Sequence, residues 1–203
     1  MSDNPNARLE AFSDGVFAIA LTLLIIELKA PAADGLASAS DLWHALEDLL
    51  PEAFAFLLSF GIVLIGWVNH HEGMKLVSRS TGRFLYANGF MLLTMVIIPF
   101  PTALLGKHLF TEHAAPAVVL YSLMCALQGV AWFVMGRTTL AQSLARDEAA
   151  ETKIRRANRD SMFAFAFYTA CAIVAVWLPT AIAMVITATW IIWLVYGLKI
   201  RGA

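Results

Sequence analysis

The chain has 203 residues, of which 60% are hydrophobic and only 14% are charged. Its mean hydropathy is +0.71, whereas a soluble globular domain carries about 25% charged residues. We therefore interpret the chain as an all-α integral membrane protein with the lipid bilayer as its surroundings. The net charge of −1 argues against a nucleic-acid partner, and Cys125 and Cys171 lie in apolar stretches where they are expected to be small core residues.

The first apolar stretch, residues 7–28, contains an acidic residue. A helix of about 22 residues is long enough to cross a hydrocarbon core of about 30 Å. Asp14 lies about two turns in from the start, and an aspartate near the middle of a span costs about 2.5–3.5 kcal/mol, less near an end. Asp14 is therefore expected to face protein or water and to have a polar partner.

Helical geometry gives this stretch two functional faces. At about 100° per residue, Arg8, Phe12, Ile19 and Ile26 fall on one line, and Gly15, Thr22 and Leu23 flank it. Asp14 points about 140° away from Ile19. One face is thus an aliphatic stripe with a single hydroxyl, and the other carries the Ser13–Asp14 pair. A helix packed on all sides is the alternative interpretation.

The same stretch carries an ordered set of residues that matches a known signature. Arg8, the run 12–15 (FSDG), Ala18–Ile19 and the run 22–24 (TLL) resemble the RxxxFSDGxxAIxxTLL signature of the transmembrane protein 175 family, cation channels of bacteria, archaea and lysosomes. The resemblance implies a potassium-selective, weakly proton-permeable channel, with potassium as the permeant ion. It also implies a homotetramer in which the first helix of each subunit lines a central pore.

The chain lacks the TVGYG carbonyl filter of ordinary potassium channels. If it conducts ions, aliphatic side chains are expected to form a hydrophobic gate, which closes by dewetting. The candidate pore and gate residues all lie on the stripe: Ile19, Thr22, Leu23 and Ile26.

Apolar length and breaking residues predict six transmembrane helices in one domain, 1–203. The predicted spans are residues 7–28, 51–71, 84–105, 115–135, 161–178 and 180–198. Between the first two lies a loop with a short amphipathic stretch through Leu50. Lysines and arginines concentrate in the connections after the second and fourth spans, which places both termini in the cytoplasm of a protein of the cell (inner) membrane.

Polar residues at one depth of the first three spans form a candidate structural network. Trp67, His70 and His71 end the second span and Asn88 begins the third, at the level of Ser13 and Asp14. The resemblance implies that a Trp, a His and an Asn brace the FSD motif, which also includes Arg8 and Phe12. Spacing of three residues from Trp67 favours His70 over His71 as that histidine.

Two other functional classes compare with the channel as follows. A proton-coupled membrane transporter would use Asp14 and a histidine as a titrating pair, and it is the alternative to the channel. An enzyme is not expected, because the HExxH, GxSxG and paired-Asp signatures are absent from the sequence. No metal site and no cofactor are predicted.

Overall fold

The structure, a computed structural model, describes residues 4–33 and 36–201, and the side chains of these residues except at 190 and 192–201. The described chain is helical apart from its connections. The helices are α1 (Ala7–Leu24), α2 (Ala39–Asp48), α3 (Leu50–Met74), α4 (Gly82–Val96), α5 (Pro99–His108), α6 (Ala114–Ala141), α7 (Glu148–Val174) and α8 (Pro179–Arg201), with a 3₁₀ turn at Ile25–Glu27.

Four helical segments of the described residues are long and apolar enough to cross a membrane. They are Ala7–Glu27, Leu50–Met74, Gly82–His108 and Ala114–Ala141. The all-α class and the multi-pass membrane character follow from them. The prediction of six spans was wrong, because the last two predicted segments do not meet this requirement.

The helices α7 and α8, which contain the last two predicted spans, show why the count fails. The helix α7 begins at Glu148 and is charged as far as Asp160, so only its part from Ser161 to Val174 is free of charge, and this is shorter than the about 20 residues that a span needs. In α8 the apolar helix within the described side chains runs from Pro179 to Thr189. The rest of the predicted span 180–198 lies outside the described side chains, apart from Ile191.

Prolines divide the third long segment into α4 and α5. The helix α4 ends at Val96 and α5 begins at Pro99, where the missing N–H of proline interrupts the backbone hydrogen bonds. Pro99 and Pro101 cannot donate to the carbonyls four residues earlier, those of Met95 and Ile97. These carbonyls accept instead from Ile98 N at 3.2 Å and Phe100 N at 3.1 Å, a local 3₁₀ adjustment by which membrane helices tolerate proline.

The core consists of three clusters of buried side chains along the bundle. One joins α1 to α3 and α4 through residues such as Phe17, Leu24 and Met91. A second joins α3, α5, α6, α7 and α8 around Tyr121. The third packs Met74 and Phe84 against Met135 and Leu144 at the end of the bundle where α3 and α6 finish.

Two loops are bonded to each other at this same end. Ser78 N donates to Leu144 O at 2.8 Å and Arg146 N donates to Leu76 O at 2.9 Å, which forms a short antiparallel bridge between residues 77 and 145. We call residues 76–78 and 144–146 the loop clasp. It holds the connection after α3 against the connection after α6.

Candidate pore helix and its polar support

The helix α1 has one buried face, which packs against α3 and α4. This face carries Ser13, Phe17, Ala20 and Leu24, which recur at the three- and four-residue spacing of one side of a helix. Small Ala20 and the hydroxyl of Ser13 are both fully buried. The rest of the subunit therefore holds α1 from one side only.

The predicted stripe lies on the surface that the subunit leaves uncovered. Ile19 is 59% exposed, and every other residue of the predicted stripe is exposed as well: Arg8, Phe12, Gly15, Thr22, Leu23 and Ile26. In water, an isolated subunit would expose a long run of aliphatic side chains, and this exposure would cost free energy. In a membrane protein, such a face is free to meet lipid, a neighbouring subunit or a pore.

The end of the stripe is built by a tighter turn than the sequence predicted. Residues Ile25–Glu27 form a 3₁₀ turn after α1, and such a turn advances about 120° and 2 Å per residue. Combined with five α-helical steps from Ile19, this places Ile26 about 20° around the axis and about 11.5 Å further along it. The change of helix type therefore keeps both isoleucines on one face.

Thr22 is the polar residue between the aliphatic ones. Its hydroxyl donates to the Ile19 carbonyl oxygen at 2.9 Å. The hydroxyl hydrogen is thereby used within the helix, and the oxygen lone pairs of Thr22 remain able to accept from water or contact a cation.

Ser13 and Asp14 of α1 are held in two separate branches of hydrogen bonds. In the first branch, Trp67 Nε1 on α3 donates to Asp14 Oδ1 at 2.8 Å. The Asp14 side chain is partly buried, and the indole N–H supplies the polar partner that a carboxylate at this depth requires.

The second branch joins three helices through Asn88 of α4. Asn88 Nδ2 donates to Ser13 Oγ of α1 at 3.1 Å, and Asn88 Oδ1 lies 2.7 Å from His70 Nε2 of α3. With the amide in this orientation, Nε2 carries the hydrogen and donates. All three side chains are at most 1% exposed, so each polar group depends on the others for its hydrogen bonds.

Two residues of the candidate network, and the histidine that was not favoured, lie elsewhere. Phe12 is exposed on the stripe, and the exposed Arg8 guanidinium makes no hydrogen bond within the described residues. His71 is exposed beside Trp67, with ring centroids 6.1 Å apart, whereas His70 is packed between the rings of Phe17 and Trp132.

The structure also shows a polar contact of α1 that sequence reasoning missed. Asn6 precedes α1 and is 1% exposed. Its side chain does not cap the helix, although asparagine at that position is typical of a cap. Instead, Asn6 Nδ2 donates to Val77 O at 2.9 Å, which ties the start of α1 to the loop clasp.

A second missed group lies nearer the other end of the bundle. Thr102, Ser59 and Tyr121 are buried on three different helices. Thr102 Oγ1 lies 2.6 Å from Ser59 Oγ, and Ser59 Oγ lies 2.8 Å from Tyr121 Oη. The available signal was that all three are polar residues within the predicted spans, where a buried polar side chain needs a hydrogen-bond partner.

Comparison with known proteins identifies the family. Residues 8–99 match the family model described as the endosomal/lysosomal potassium channel TMEM175. A protein of Chamaesiphon minutus named a potassium channel is 35% identical over 183 residues, which is 88% of this chain and 90% of that protein. A protein of Streptomyces collinus, also named a potassium channel, is 40% identical over 140 residues, 66% of each chain.

A solved structure has the same fold. The crystal structure of a lysosomal potassium-selective channel TMEM175 homolog from Chamaesiphon minutus superposes with a TM-score of 0.80 and 30% sequence identity, covering 95% of this chain and 97% of that one. The signature at the start of α1, the relatives across most of the length and this shared fold lead to one conclusion: the chain belongs to the TMEM175 family.

Proposed function

We propose that this chain is a potassium-selective, weakly proton-permeable cation channel whose pore is lined by α1 from each subunit of a homotetramer. The proposal places Ile19, Thr22, Leu23 and Ile26 on the pore surface. Two relatives that align with 66% and 88% of this chain are named potassium channels, and these names support the proposal.

The proposal rests on the two faces of α1, one buried against the rest of the subunit and the other exposed. The subunit buries Ser13, Phe17 and Leu24 but leaves Ile19 and Ile26 exposed. One chain supplies one such helix, so several copies are needed to enclose an axis. Symmetric assembly around that axis brings the same isoleucine from each subunit to one level.

Rings of isoleucine are suited to gating. An ion that enters such a ring loses water ligands, and the aliphatic wall offers no dipoles in exchange. Two rings, at Ile19 and Ile26, would lie in series, with the Thr22 oxygens between them. A closed pore would be dry at the rings, and wetting would open it.

The proposal includes a place in the cell. The four candidate spans are an even number, which returns the chain to its starting side. The connection after α6 and the first part of α7 carry Arg146, Lys153 and Arg156 among other cations, and such positively charged segments stay in the cytoplasm. We therefore place the chain in the cell (inner) membrane with both termini cytoplasmic.

The proton-coupled transporter is not favoured. Asp14 and His70 belong to different hydrogen-bonded branches, with Trp67 on Asp14 and Asn88 on His70. Each branch connects helices within the subunit, which supports a bracing role. No catalytic activity is part of the proposal, and potassium enters only as the permeant ion.

The deciding experiment replaces Ile19 with asparagine. The introduced side chains would place amide dipoles in the proposed ring and favour a wetted pore. Potassium flux through liposomes that contain the purified Ile19→Asn variant should rise severalfold. Reversal potentials in bilayers with asymmetric potassium and sodium should show weaker discrimination, and a pH gradient in the same bilayers measures proton permeation.

The chain offers a closely matched control. Ile173 on α7 is 58% exposed, against 59% for Ile19, but it lies on a helix outside the proposed pore. Ile173→Asn should leave flux and selectivity unchanged. A substitution of Leu21, which packs into the core from the other side of α1, should change flux and selectivity only through packing. Equal effects at positions 19 and 173, or none at 19, would remove α1 from the pore.

A further inference from the structure

The helix α2 forms without support from the rest of the fold. Ser38 Oγ accepts from Asp41 N at 3.2 Å, and Asp41 Oδ2 accepts from Ser38 N at 2.8 Å. This reciprocal pair is a capping box, which begins a helix by local interactions alone. No residue of Ala39–Asp48 is buried, so tertiary packing does not explain why the helix is amphipathic.

The two sides of α2 differ sharply in chemistry. At about 100° per residue, Leu42, Trp43 and Leu46 fall within an arc of about 100°. The opposite side carries the polar residues: Ser40, Asp41, His44, Glu47 and Asp48. The three apolar side chains are all exposed, and Trp43 is exposed by 68%.

The position of α2 limits what can cover this face. Leu49 alone separates α2 from α3, and α3 is one of the helices long and apolar enough to span the membrane. The helix α2 therefore lies at the level where α3 enters the bilayer. Tryptophan is enriched at that level because its ring is apolar and its N–H is polar.

The size of the face favours lipid over a protein partner. A helix of this length is about 15 Å long, and an apolar strip about 10 Å wide gives an area of about 150 Å². A stable protein interface buries about 800 Å² on each partner. A lipid surface has no such minimum, since an amphipathic helix there buries only its apolar side in the boundary between headgroups and acyl chains.

We propose that α2 is an interfacial helix whose Leu42, Trp43 and Leu46 insert into the leaflet that α3 enters. The polar side has three acidic residues and neither Lys nor Arg. Insertion is therefore driven by the apolar face and needs no anionic lipid. Uncharged phosphatidylcholine is sufficient as the lipid.

Quenching of tryptophan fluorescence tests the insertion. The full chain and its Trp43→Phe variant are reconstituted in phosphatidylcholine vesicles, with and without bromine on the acyl chains near the headgroups. The difference between the two proteins is the emission of Trp43. We expect bromine to quench most of this difference, and iodide on both sides of the membrane to quench little of it.

A partly buried tryptophan provides the control, and the remaining outcomes show what covers α2. Trp132 packs against the core of the subunit, so bromine should quench the emission lost in Trp132→Phe less than it quenches the emission of Trp43. Quenching of Trp43 by iodide alone would place α2 in water, and quenching by neither would place it against a second copy of the chain. Either result, or a requirement for anionic lipid, overturns the proposal.

Discussion

Replacing Asn88 with alanine should destabilise the protein more than replacing Ser13 of the same branch. Asn88 bonds Ser13 of α1 and His70 of α3, so Asn88→Ala leaves two buried groups without partners. Each such group costs about 1–3 kcal/mol, which gives about 2–6 kcal/mol in total. Ser13→Ala leaves only the Asn88 amide unpaired and should cost about 1–3 kcal/mol.

The double variant provides the sharper test. When Ser13 and Asn88 are both alanine, only the His70 ring nitrogen lacks a partner. The double variant should therefore be more stable than Asn88→Ala alone by about 1–3 kcal/mol, even though it carries one more substitution. The free energy of unfolding in mixed micelles, followed by circular dichroism during titration with sodium dodecyl sulfate, measures the difference.

A second buried serine supplies the matched control. Ser122 is fully buried on α6, but its hydroxyl donates to Val118 O within the same helix. Ser122→Ala leaves no group of another helix unpaired, and its cost should stay below that of Ser13→Ala. Suppose that the double variant is no more stable than Asn88→Ala while Ser122→Ala lowers the free energy of unfolding only slightly. The unpaired polar groups would then not be the cause of the stability lost in Asn88→Ala.

Other predictions concern assembly, helix packing and orientation. Asp14→Ala leaves the Trp67 indole N–H unpaired. Gel filtration of this variant in detergent should therefore show less of the oligomer. An intact oligomer with an altered proton dependence of transport would instead favour the transporter. Gly129→Ala would bring a Cβ within 2.9 Å of a backbone oxygen of α7 and lower the unfolding free energy by about 1–3 kcal/mol. Gly89→Ala inside α4 meets nothing within 4 Å, so it should not lower the unfolding free energy in the same titration. A cysteine in place of Ser143 should resist an impermeant thiol reagent on intact cells, and ready labelling would contradict the cytoplasmic placement of that loop.

The helical periodicity of α1 was sufficient to predict much of its surface. A regular helix fixes the direction of each side chain, so the exposed line through Ile19 and Ile26 could be read before any tertiary contact was known. The role of that line in a pore stays a prediction. The number of spans was not predictable in the same way, because a count of apolar windows does not show that α7 begins within the charged connection.

The depth of a polar residue in the membrane does not predict its hydrogen-bond partner. The positions of the predicted spans place Ser13, Asp14, Trp67 and Asn88 at one depth, but depth alone does not specify which donor meets which acceptor. The structure pairs Trp67 with Asp14 and Asn88 with Ser13. The Asn6 contact joins residues 71 positions apart, and no local pattern marks a loop carbonyl as the acceptor.

The loop clasp fixes the start of α1 relative to two connections at one end of the bundle. It joins the connection after α3 to the connection after α6, and Asn6 attaches the start of α1 to the clasp. At its other end, α1 has its last buried residue at Leu24 and passes through a 3₁₀ turn into extended Leu28. In the pore proposed above, Ile26 would lie beyond that last buried contact and Ile19 before it, so a tilt of the end of α1 would displace Ile26 more than Ile19.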